Sequence, residues 1–269
     1  LSNYYLFKNE YYLVNFLMSL VSIIVPYYKK KRYIVKSIKS ALNQSYKKFE
    51  IIIVYDDEDK KDLIFLKENY NKIKKIKILV NKKNIGAGMS RNSGIKHSKG
   101  KYIAFLDADD EWKKDKLTKQ IKFMRQKKIL ASHTSYYSIG RNGKKIGKRI
   151  ARNFCDINDL LKSCDIGLST AMIDKKIYSK YCNFSNYKTK EDFIFWLKIL
   201  NKGHSIYGLN ENLAIWKKTK NSLSSSTIQK LIDGFKVYYV FMKFNFIKSL
   251  TYLIYLSFNY IKKDYLKWN

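Results

Sequence analysis

Acidic residues follow two apolar segments of the sequence, where together they could hold a divalent cation. The segment KYIAFLD ends in Asp107 and leads into Asp109 and Asp110, and the segment FEIIIVY leads into Asp56 and Asp57. Carboxylates this close repel one another, and apolar neighbours make their ionisation costlier. Mg²⁺ or Mn²⁺ would relieve the repulsion, because such ions take one or two protein carboxylates and fill their shells with water and phosphate oxygens. The pattern predicts a metal-bound diphosphate; the alternative is a solvated acidic turn.

A glycine-containing segment, NIGAGMSRNSGIKHSKG at 84–100, could contact the same diphosphate. It does not match a dinucleotide-binding fingerprint, because Arg91 stands where the third glycine is needed and the segment follows the third predicted strand. A guanidinium can pair with two diphosphate oxygens, and glycines let the backbone approach a ligand closely. The segment therefore predicts a phosphate contact by Arg91.

Short apolar segments alternate with amphipathic ones through the first half of the chain, which is typical of an α/β protein. Their continuous apolar character predicts a mostly parallel sheet covered on both faces by helices. In such a sheet ligands bind beyond the carboxyl ends of the strands, which is where the acidic residues fall. The second half has a mixed pattern, with a hairpin predicted to turn at Asn142 and Gly143. The predicted strands of the first half are 21–27, 49–55, 76–80 and 101–107.

The charge of the chain bears on its partners. Its 269 residues include 54 lysines and arginines against 22 acidic residues, a net charge of +32. The lysines are spread along the whole chain without a nucleic-acid recognition motif, so we expect no nucleic acid and favour an anionic membrane surface. The three cysteines are odd in number and lack metal-ligand or CxxC spacing, which indicates a reduced cytoplasmic setting.

Both ends of the chain contain apolar sequence that could be mistaken for a membrane span. The uncharged run from Tyr11 to Tyr28 has eighteen residues but contains polar side chains and Pro26, and its second half is predicted to be a buried strand. Residues 1–17 are interpreted as an extension preceding the fold, and the alternative is a weak signal or anchor segment. The helical tail at 227–269 is interrupted by lysines, so it is predicted either to lie on a membrane surface or to pack on the domain or on a second subunit in a homodimer.

Four segments in order, VSIIVPYY, EIIIVYDD, NIGAGMSRNSGIKHSKG and YIAFLDADD, resemble the family 2 glycosyltransferases of bacterial surface-polysaccharide assembly, which have the GT-A fold. The resemblance implies a metal-dependent, inverting transfer of a sugar from a nucleotide-sugar, with UDP favoured, to a glycan or lipid-linked acceptor. It also implies a GT-A domain at 18–226, with a nucleotide-binding half at 18–110 and an acceptor-binding half at 111–226.

The resemblance assigns roles to particular residues. The family's DxD motif maps onto Asp107 and Asp109, both metal-ligand candidates, with Asp109 expected to bind the Mn²⁺ or Mg²⁺ ion. Tyr55 replaces the first aspartate of the family's base-contacting pair, so either Asp56 or Asp57 could contact the nucleotide base. The expected donor-binding residues are Pro26, Tyr28, Asp56, Asp57, Asn84, Gly86, Arg91, Asp107, Ala108 and Lys217.

A later acidic pair is the candidate for proton transfer. Glu191 and Asp192 precede a tryptophan-containing helix, a family landmark, and Asp192 is expected to take the proton of the acceptor hydroxyl, with Glu191 as the second candidate. The alternative is that both are favourable charges at a helix N-terminus.

Two other functions fit parts of the sequence. A phosphatase of the haloacid dehalogenase type also has an apolar strand running into DxD, but it normally has Thr or Val where this chain has Glu111. A basic module that binds nucleic acid or membranes would leave the order of the four motifs unexplained.

Overall fold

A computed structural model describes residues 19–219 and 227–265 of the chain. Its sheet has nine strands, in the order β3-β2-β1-β4-β8-β6-β9-β5, with β7 paired to β6. The strands are β1 (Val21–Tyr27), β2 (Phe49–Tyr55), β3 (Ile76–Val80), β4 (Tyr102–Phe105), β5 (Glu111–Trp112), β6 (Ala131–Ile139), β7 (Lys145–Arg149), β8 (Met172–Asp174) and β9 (Tyr207–Lys217). The α-helices are α1 (Lys31–Leu42), α2 (Lys61–Tyr70), α3 (Ala87–Lys96), α4 (Lys116–Gln126), α5 (Ile157–Lys162), α6 (Glu191–Asn201), α7 (Thr227–Lys236) and α8 (Phe246–Tyr265).

The first four strands form the predicted parallel half of the sheet. Strand β1 pairs in parallel with β2 and β4, and β2 pairs in parallel with β3. Alternate residues of β1 belong to different cores, because Ile24 packs with Val54 and Ile95 on one face while Ile23 packs with Ile34 on the other. Burial on both faces explains why these strands are apolar throughout, as the sequence predicts.

The second half of the sheet is mixed, also as predicted. Strand β8 pairs antiparallel to both β4 and β6, whereas β9 runs parallel to β6 and antiparallel to β5. The predicted hairpin is formed by β6 and β7, and Gly143 has a φ of 78° in its turn, which glycine adopts at little cost. This arrangement places the short strand β5, immediately after the acidic segment, against β9.

Helices α7 and α8 pack on the sheet domain through part of their surface. Val237 and Tyr238, between the two helices, are fully buried, and Leu256 of α8 joins the same core as α6. In the described part of the chain, no helix combines the length and apolar character that crossing a membrane requires. Of the uncharged run from Tyr11 to Tyr28, residues 21–27 form β1 as predicted. Residues 11–18 of the run, and the residues before them, lie outside the described residues.

Candidate active site

The carboxyl ends of β1, β2 and β4 meet the N-terminus of α6 at one edge of the sheet. Asp107 and Asp109 follow β4, and Glu191 begins α6. Arg91 of α3 connects them, since its Nη2 lies 2.7 Å from Asp107 Oδ1 and its Nη1 lies 2.8 Å from Glu191 Oε1. The structure therefore brings the DxD segment and the later acidic pair together, although Asp107 and Glu191 are 84 positions apart in the sequence.

Arg91 is almost completely buried, with 3% of its surface exposed. Its guanidinium lies against the ring of Phe184 and bridges two carboxylates, so two of its nitrogens already have charged partners. A buried arginine must be paired in this way, because an isolated charge in the interior is costly. The contact of Arg91 with a diphosphate stays a prediction, and the structure adds a role in fixing Asp107 and Glu191.

The three aspartates after β4 have different surroundings. Asp109 Oδ2 accepts hydrogen bonds from Lys30 Nζ at 2.7 Å and from Thr219 Oγ1 at 2.8 Å. Asp110 is buried and accepts from Ser169 Oγ at 2.5 Å and from the backbone N–H of Lys217 at 3.0 Å. Burial raises the pKa of Asp110 well above its usual value, and the charges of its acidic neighbours raise it further. The three carboxylates thus repel one another, as the sequence predicts, although Lys30 and Arg91 are paired with two of them.

The pair at the start of α6 is suited to accepting a proton. Burial, followed by the charge of Asp192, raises the pKa of Glu191 to about 7, against the opposing effect of Arg91. Burial also raises the pKa of Asp192, whose Oδ1 accepts the backbone N–H of Phe193 at 2.7 Å. Carboxylates with raised pKa values bind a proton more readily near neutral pH, as a general base must. Both lie in the first turn of the helix, so the helix dipole also favours their charged forms.

Asp56 shapes the loop after β3. Its carboxylate accepts the backbone N–H groups of Ile85 and Gly86, both at 2.9 Å, and the amide of Asn81 at 2.7 Å. The side-chain amide of Asn84 donates to the backbone carbonyl of Asp56 at 2.8 Å, and Gly86 has a φ of 83°. Asn84 and Gly86 are thus joined to the end of β2, and the Asp56 carboxylate already has three donors.

The remaining predicted residues lie around the same edge. Asp57 is buried, and its Oδ1 accepts a longer hydrogen bond, at 3.3 Å, from the backbone of Asp59. Pro26 is half-buried in β1, Ala108 is buried, and Tyr28 is exposed just beyond the strand. Lys217 contacts the cluster through its backbone, while its ammonium is paired with Glu111.

Sequence reasoning missed Lys30, Thr219 and Ser169, which hold the acidic segment in place. A lysine after β1 gives no signal in a chain with 54 basic residues. Thr219 and Ser169 are distant in sequence from the aspartates that they contact. Their contacts form only when the segment before β8 and the segment after β9 are folded against the end of β4.

The model of the protein family described as "Glycosyl transferase family 2" matches residues 22–197, about two thirds of the chain. The chain belongs to glycosyltransferase family 2. Apart from Val21, the matched residues include all four motifs of the nucleotide-binding half, and they include the Glu191–Asp192 pair. Membership establishes glycosyl transfer as the enzyme class, so the phosphatase and binding-module alternatives are set aside.

Several family 2 relatives match most of the chain. A putative teichuronic acid biosynthesis glycosyltransferase, TuaG of Bacillus subtilis, is 35% identical over 91% of this chain and 97% of its own length. WfaP of Escherichia coli, named as a UDP-Glc:alpha-D-GlcNAc-diphosphoundecaprenol beta-1,3-glucosyltransferase, is 38% identical over 80% of this chain and 84% of its own. The prediction of a family 2 enzyme of the surface-polysaccharide type is thereby confirmed.

A solved structure supports the fold. S. aureus TarS in complex with UDP-GlcNAc matches with a TM-score of 0.61 and 22% identity, over 77% of this chain and 61% of that one. At this identity the likeness concerns the fold, which is the GT-A-like arrangement that the resemblance implies.

The acidic segment of this family 2 enzyme fits a divalent cation in the chemistry of its ligands. The carboxylate oxygens of Asp107 and Asp109 are the hard donors that Mg²⁺ and Mn²⁺ prefer. Burial raises the pKa of Asp110, and the charges of Asp109 and Asp107 raise it further. Within residues 19–219 and 227–265, no three acidic, histidine or cysteine side chains are arranged as a metal site. A cation held by Asp107 and Asp109 would fill the rest of its coordination shell with water or phosphate oxygens.

Proposed function

We propose that this chain is an inverting glycosyltransferase that moves a sugar from a UDP-sugar to a glycan or lipid-linked oligosaccharide in surface-polysaccharide biosynthesis. The observation that carries the proposal is the contact of Arg91 with Asp107 and with Glu191, which joins the acidic segment after β4 to the acidic pair at the start of α6. The names of TuaG and WfaP support the polysaccharide setting, and that of WfaP supports a UDP-sugar and a lipid-diphosphate acceptor.

In this proposal the catalytic unit is the segment 18–226. Its nucleotide-binding half, 18–110, contains strands β1 to β4, and its acceptor-binding half, 111–226, contains α6. The remaining segment, 227–269, is a tail. The division is supported by the change from a parallel to a mixed sheet at the point where the acidic segment lies.

The nucleotide lies over the ends of β1 and β2, between Pro26, Tyr28 and Asp57. We assign the base contact to Asp57 because the carboxylate of Asp56 is already bonded to the loop that it shapes. Asn84 and Gly86 hold that loop near the ribose and phosphates. The small side chain of Ala108 leaves room for the donor between the two aspartates of the DxD motif.

A Mn²⁺ or Mg²⁺ ion would be held by Asp109, with Asp107 beside it. When bound, it would supply Lewis-acid stabilisation of the negative charge that develops on the leaving nucleoside diphosphate. Arg91 keeps Asp107 oriented, and the ammonium of Lys217, paired with Glu111 in the free enzyme, is the second positive charge assigned to the donor.

Asp192 takes the proton of the acceptor hydroxyl as the hydroxyl oxygen attacks the anomeric carbon of the donor sugar. The sugar–phosphate bond breaks in the same step, and its electron pair stays with the leaving diphosphate. The raised pKa of Asp192, caused by its burial, makes the carboxylate a better proton acceptor. Glu191 is the second candidate, since its pKa is also raised.

The reaction takes place at the cytoplasmic face of the cell membrane, with the tail lying on the anionic lipid surface. Exposed apolar side chains on α7 and α8, together with lysines, support this placement. A homodimer that covers the same face is the competing arrangement.

A thermal-shift screen of nucleoside diphosphates and their sugars, with and without Mn²⁺, tests the donor assignment. A ligand at one hundred times its dissociation constant stabilises a protein by about 2.7 kcal/mol, which raises the Tm of a chain this size by roughly 5 °C or more. We expect that shift with UDP-sugars plus Mn²⁺. The stabilising sugar is then supplied with a lipid-diphosphate-linked GlcNAc acceptor and transfer is measured. No shift with any nucleotide or divalent ion would refute the proposal.

A further inference from the structure

Lys30 forms a compact cluster with the candidate metal ligand Asp109. Its Nζ lies 2.7 Å from Asp109 Oδ2 and 2.8 Å from Thr219 Oγ1, while the Thr219 hydroxyl donates to the same aspartate oxygen at 2.8 Å. The side chains of Lys30 and Asp109 are mostly buried, with 18% and 17% of their surfaces exposed. One carboxylate oxygen thus has two donors, one of them a full positive charge.

This arrangement conflicts with the binding of a divalent cation at Asp109. A metal ion on Oδ2 would lie within a few ångströms of the Lys30 ammonium, and like charges at that distance repel strongly in a poorly hydrated site. The ammonium must therefore leave that oxygen when the ion arrives. The conflict arises only if Asp109 is a metal ligand, so the inference rests on the proposed function.

The other carboxylates beside Asp109 already have partners. Asp107 is paired with Arg91, Asp110 accepts bonds from Ser169 and from the backbone of Lys217, and Glu111 is paired with the Lys217 side chain. None of them presents an unpaired charge to a displaced Lys30.

The sequence around Lys30 offers it no acidic partner either. Residues 29–32 are three lysines and an arginine, and the first turn of α1 contains no acidic residue. Lys30 itself precedes α1, two residues beyond Tyr28 and therefore at the mouth of the proposed nucleotide site. An anion that arrives with the metal ion is the partner that the ammonium would meet.

We propose that Lys30 binds the diphosphate of the nucleotide-sugar donor, and that in the free enzyme its ammonium is bound by Asp109 and Thr219 instead. Binding of the donor with its metal ion exchanges an internal ion pair for two new ones, metal with Asp109 and Lys30 with phosphate. Thr219 then loses its contact with Lys30, so the end of β9 responds to occupancy of the donor site.

This exchange gives Lys30 opposite effects on two affinities. Without nucleotide it competes with the metal ion for Asp109, so removing its charge strengthens metal binding. With nucleotide it contacts phosphate, so removing its charge weakens nucleotide binding. A residue that merely stabilised the fold would not shift the two affinities in opposite directions.

The test compares Lys30→Met with the wild-type protein in two measurements. Binding of Mn²⁺ alone, followed by the electron paramagnetic resonance signal of the free ion, is expected to be about twofold to fivefold tighter, the range for losing a partly exposed ion pair. Binding of UDP at saturating Mn²⁺, followed by calorimetry, is expected to be about tenfold weaker or more, the range for a charge-assisted hydrogen bond.

Two further variants complete the test. Lys30→Arg keeps the charge and should retain UDP affinity within about threefold. Lys36→Met, on the exposed side of α1, removes the same charge nearby and should leave both affinities unchanged. Unchanged affinities in Lys30→Met, or a parallel fall in both, would overturn the inference while leaving the donor assignment intact. A wild-type protein that binds no UDP with any divalent ion would overturn the donor assignment and this inference with it.

Discussion

Asp56 and Asp57, which follow β2, have the same side chain but different hydrogen-bond partners. Asp56 and Asp57 are both buried, but the first accepts two backbone N–H groups and an amide, whereas the second accepts one longer bond from Asp59. The carboxylate of Asp56 uses its acceptor capacity within the protein, where it stabilises the loop after β3. A carboxylate with free acceptor capacity is the better candidate for the N–H group of a nucleotide base.

Isosteric amides at these two positions should separate the roles. Asp57→Asn is expected to weaken UDP binding by about tenfold while leaving the Tm unchanged, because one charged hydrogen bond to the ligand is lost. Asp56→Asn is expected to reduce the free energy of unfolding by about 1–3 kcal/mol, because the N–H groups of Ile85 and Gly86 then face a neutral amide. Calorimetric titration and denaturant unfolding measure the two effects. Normal UDP binding by Asp57→Asn would return the base contact to Asp56.

Asp192 carries the proposed proton transfer. Asp192→Asn is expected to reduce turnover by about 10²-fold to 10⁴-fold while UDP still raises the Tm as in the wild type. In the wild type, the rate should fall as pH drops through the raised carboxyl pKa, because the base must be unprotonated. The variant should lose that acidic limb. Normal turnover by the variant would exclude Asp192 as the base and turn attention to Glu191.

Single residues were predictable from sequence only where residue type and order carried information. The aspartates after β4 could be singled out, because carboxylates that follow an apolar strand so closely repel one another. Lys30 could not, because lysine is abundant and its partner Asp109 lies 79 positions away. The contacts of Arg91 with Asp107 and Glu191 could not be predicted either, because only the folded chain brings α3, the end of β4 and α6 together.

At the scale of elements, α3 lies unusually close to the sheet. A Cβ atom added to Gly94 would lie 2.6 Å from Ile24 Cγ2 and 3.2 Å from Val54 Cγ2. Both neighbours are fully buried in strands, so neither can withdraw. The glycine allows the helix carrying Arg91 to approach β1 and β2, and the packing distance of α3 determines where the guanidinium lies.

Gly94→Ala is expected to change the free energy of unfolding through two opposing effects, helix propensity and packing. Alanine favours a helix over glycine by about 1 kcal/mol, but overpacking a buried contact costs about 1–3 kcal/mol. We expect packing to dominate and the free energy of unfolding to fall by about 1 kcal/mol. Urea denaturation measures the change, with Ser93→Ala on the same helix as a control expected to stay within about 0.5 kcal/mol of wild type. A more stable Gly94→Ala protein would show that the helix does not pack this closely.

The elements also differ in how well the sequence predicts them. Strands β1 to β3 are found at their predicted positions, because continuous apolar runs mark strands buried on both faces. Strands β5 and β8 have two and three residues, too few to show any periodicity. Their pairing with β9 and β4 depends on contacts between distant parts of the chain, so the mixed character of the second half could be predicted but its strand order could not.

At the scale of the whole molecule, positive charge and exposed apolar surface coincide on the tail. Helix α8 has one stripe of exposed large side chains that includes Ile247, Ile254, Phe258 and Ile261, spaced so that they share a face. Helix α7 contains Lys230 and Lys236, and α8 contains Lys248. Apolar side chains beside lysines are typical of helices that lie on anionic membranes. Such a position would hold the active site near a lipid-linked acceptor.

Vesicle flotation tests this placement. The protein is expected to float with vesicles containing phosphatidylglycerol and to stay in solution with pure phosphatidylcholine, because each lysine near an anionic surface contributes about 1 kcal/mol. Binding should weaken as salt is raised. A triple variant, Ile247→Ser, Ile254→Ser and Phe258→Ser, should lose flotation because its apolar stripe is removed.

The matched control removes apolar side chains of similar exposure from the sheet domain, where no membrane contact is proposed. Ile64→Ser, Ile150→Ser and Tyr181→Ser together should float as the wild type does, since these three exposed residues lie outside the tail, in separate segments of the chain. Two observations together would indicate that the stripe binds a second copy of the chain. The wild-type protein would not bind anionic vesicles, and its mass in solution would fall from that of a dimer to that of a monomer in the α8 triple variant. The net charge of +32 would then not bring the apolar stripe of α8 to a membrane. Flotation that is lost in the α8 variant and kept in the control ties membrane binding to the apolar stripe, because both variants retain that charge.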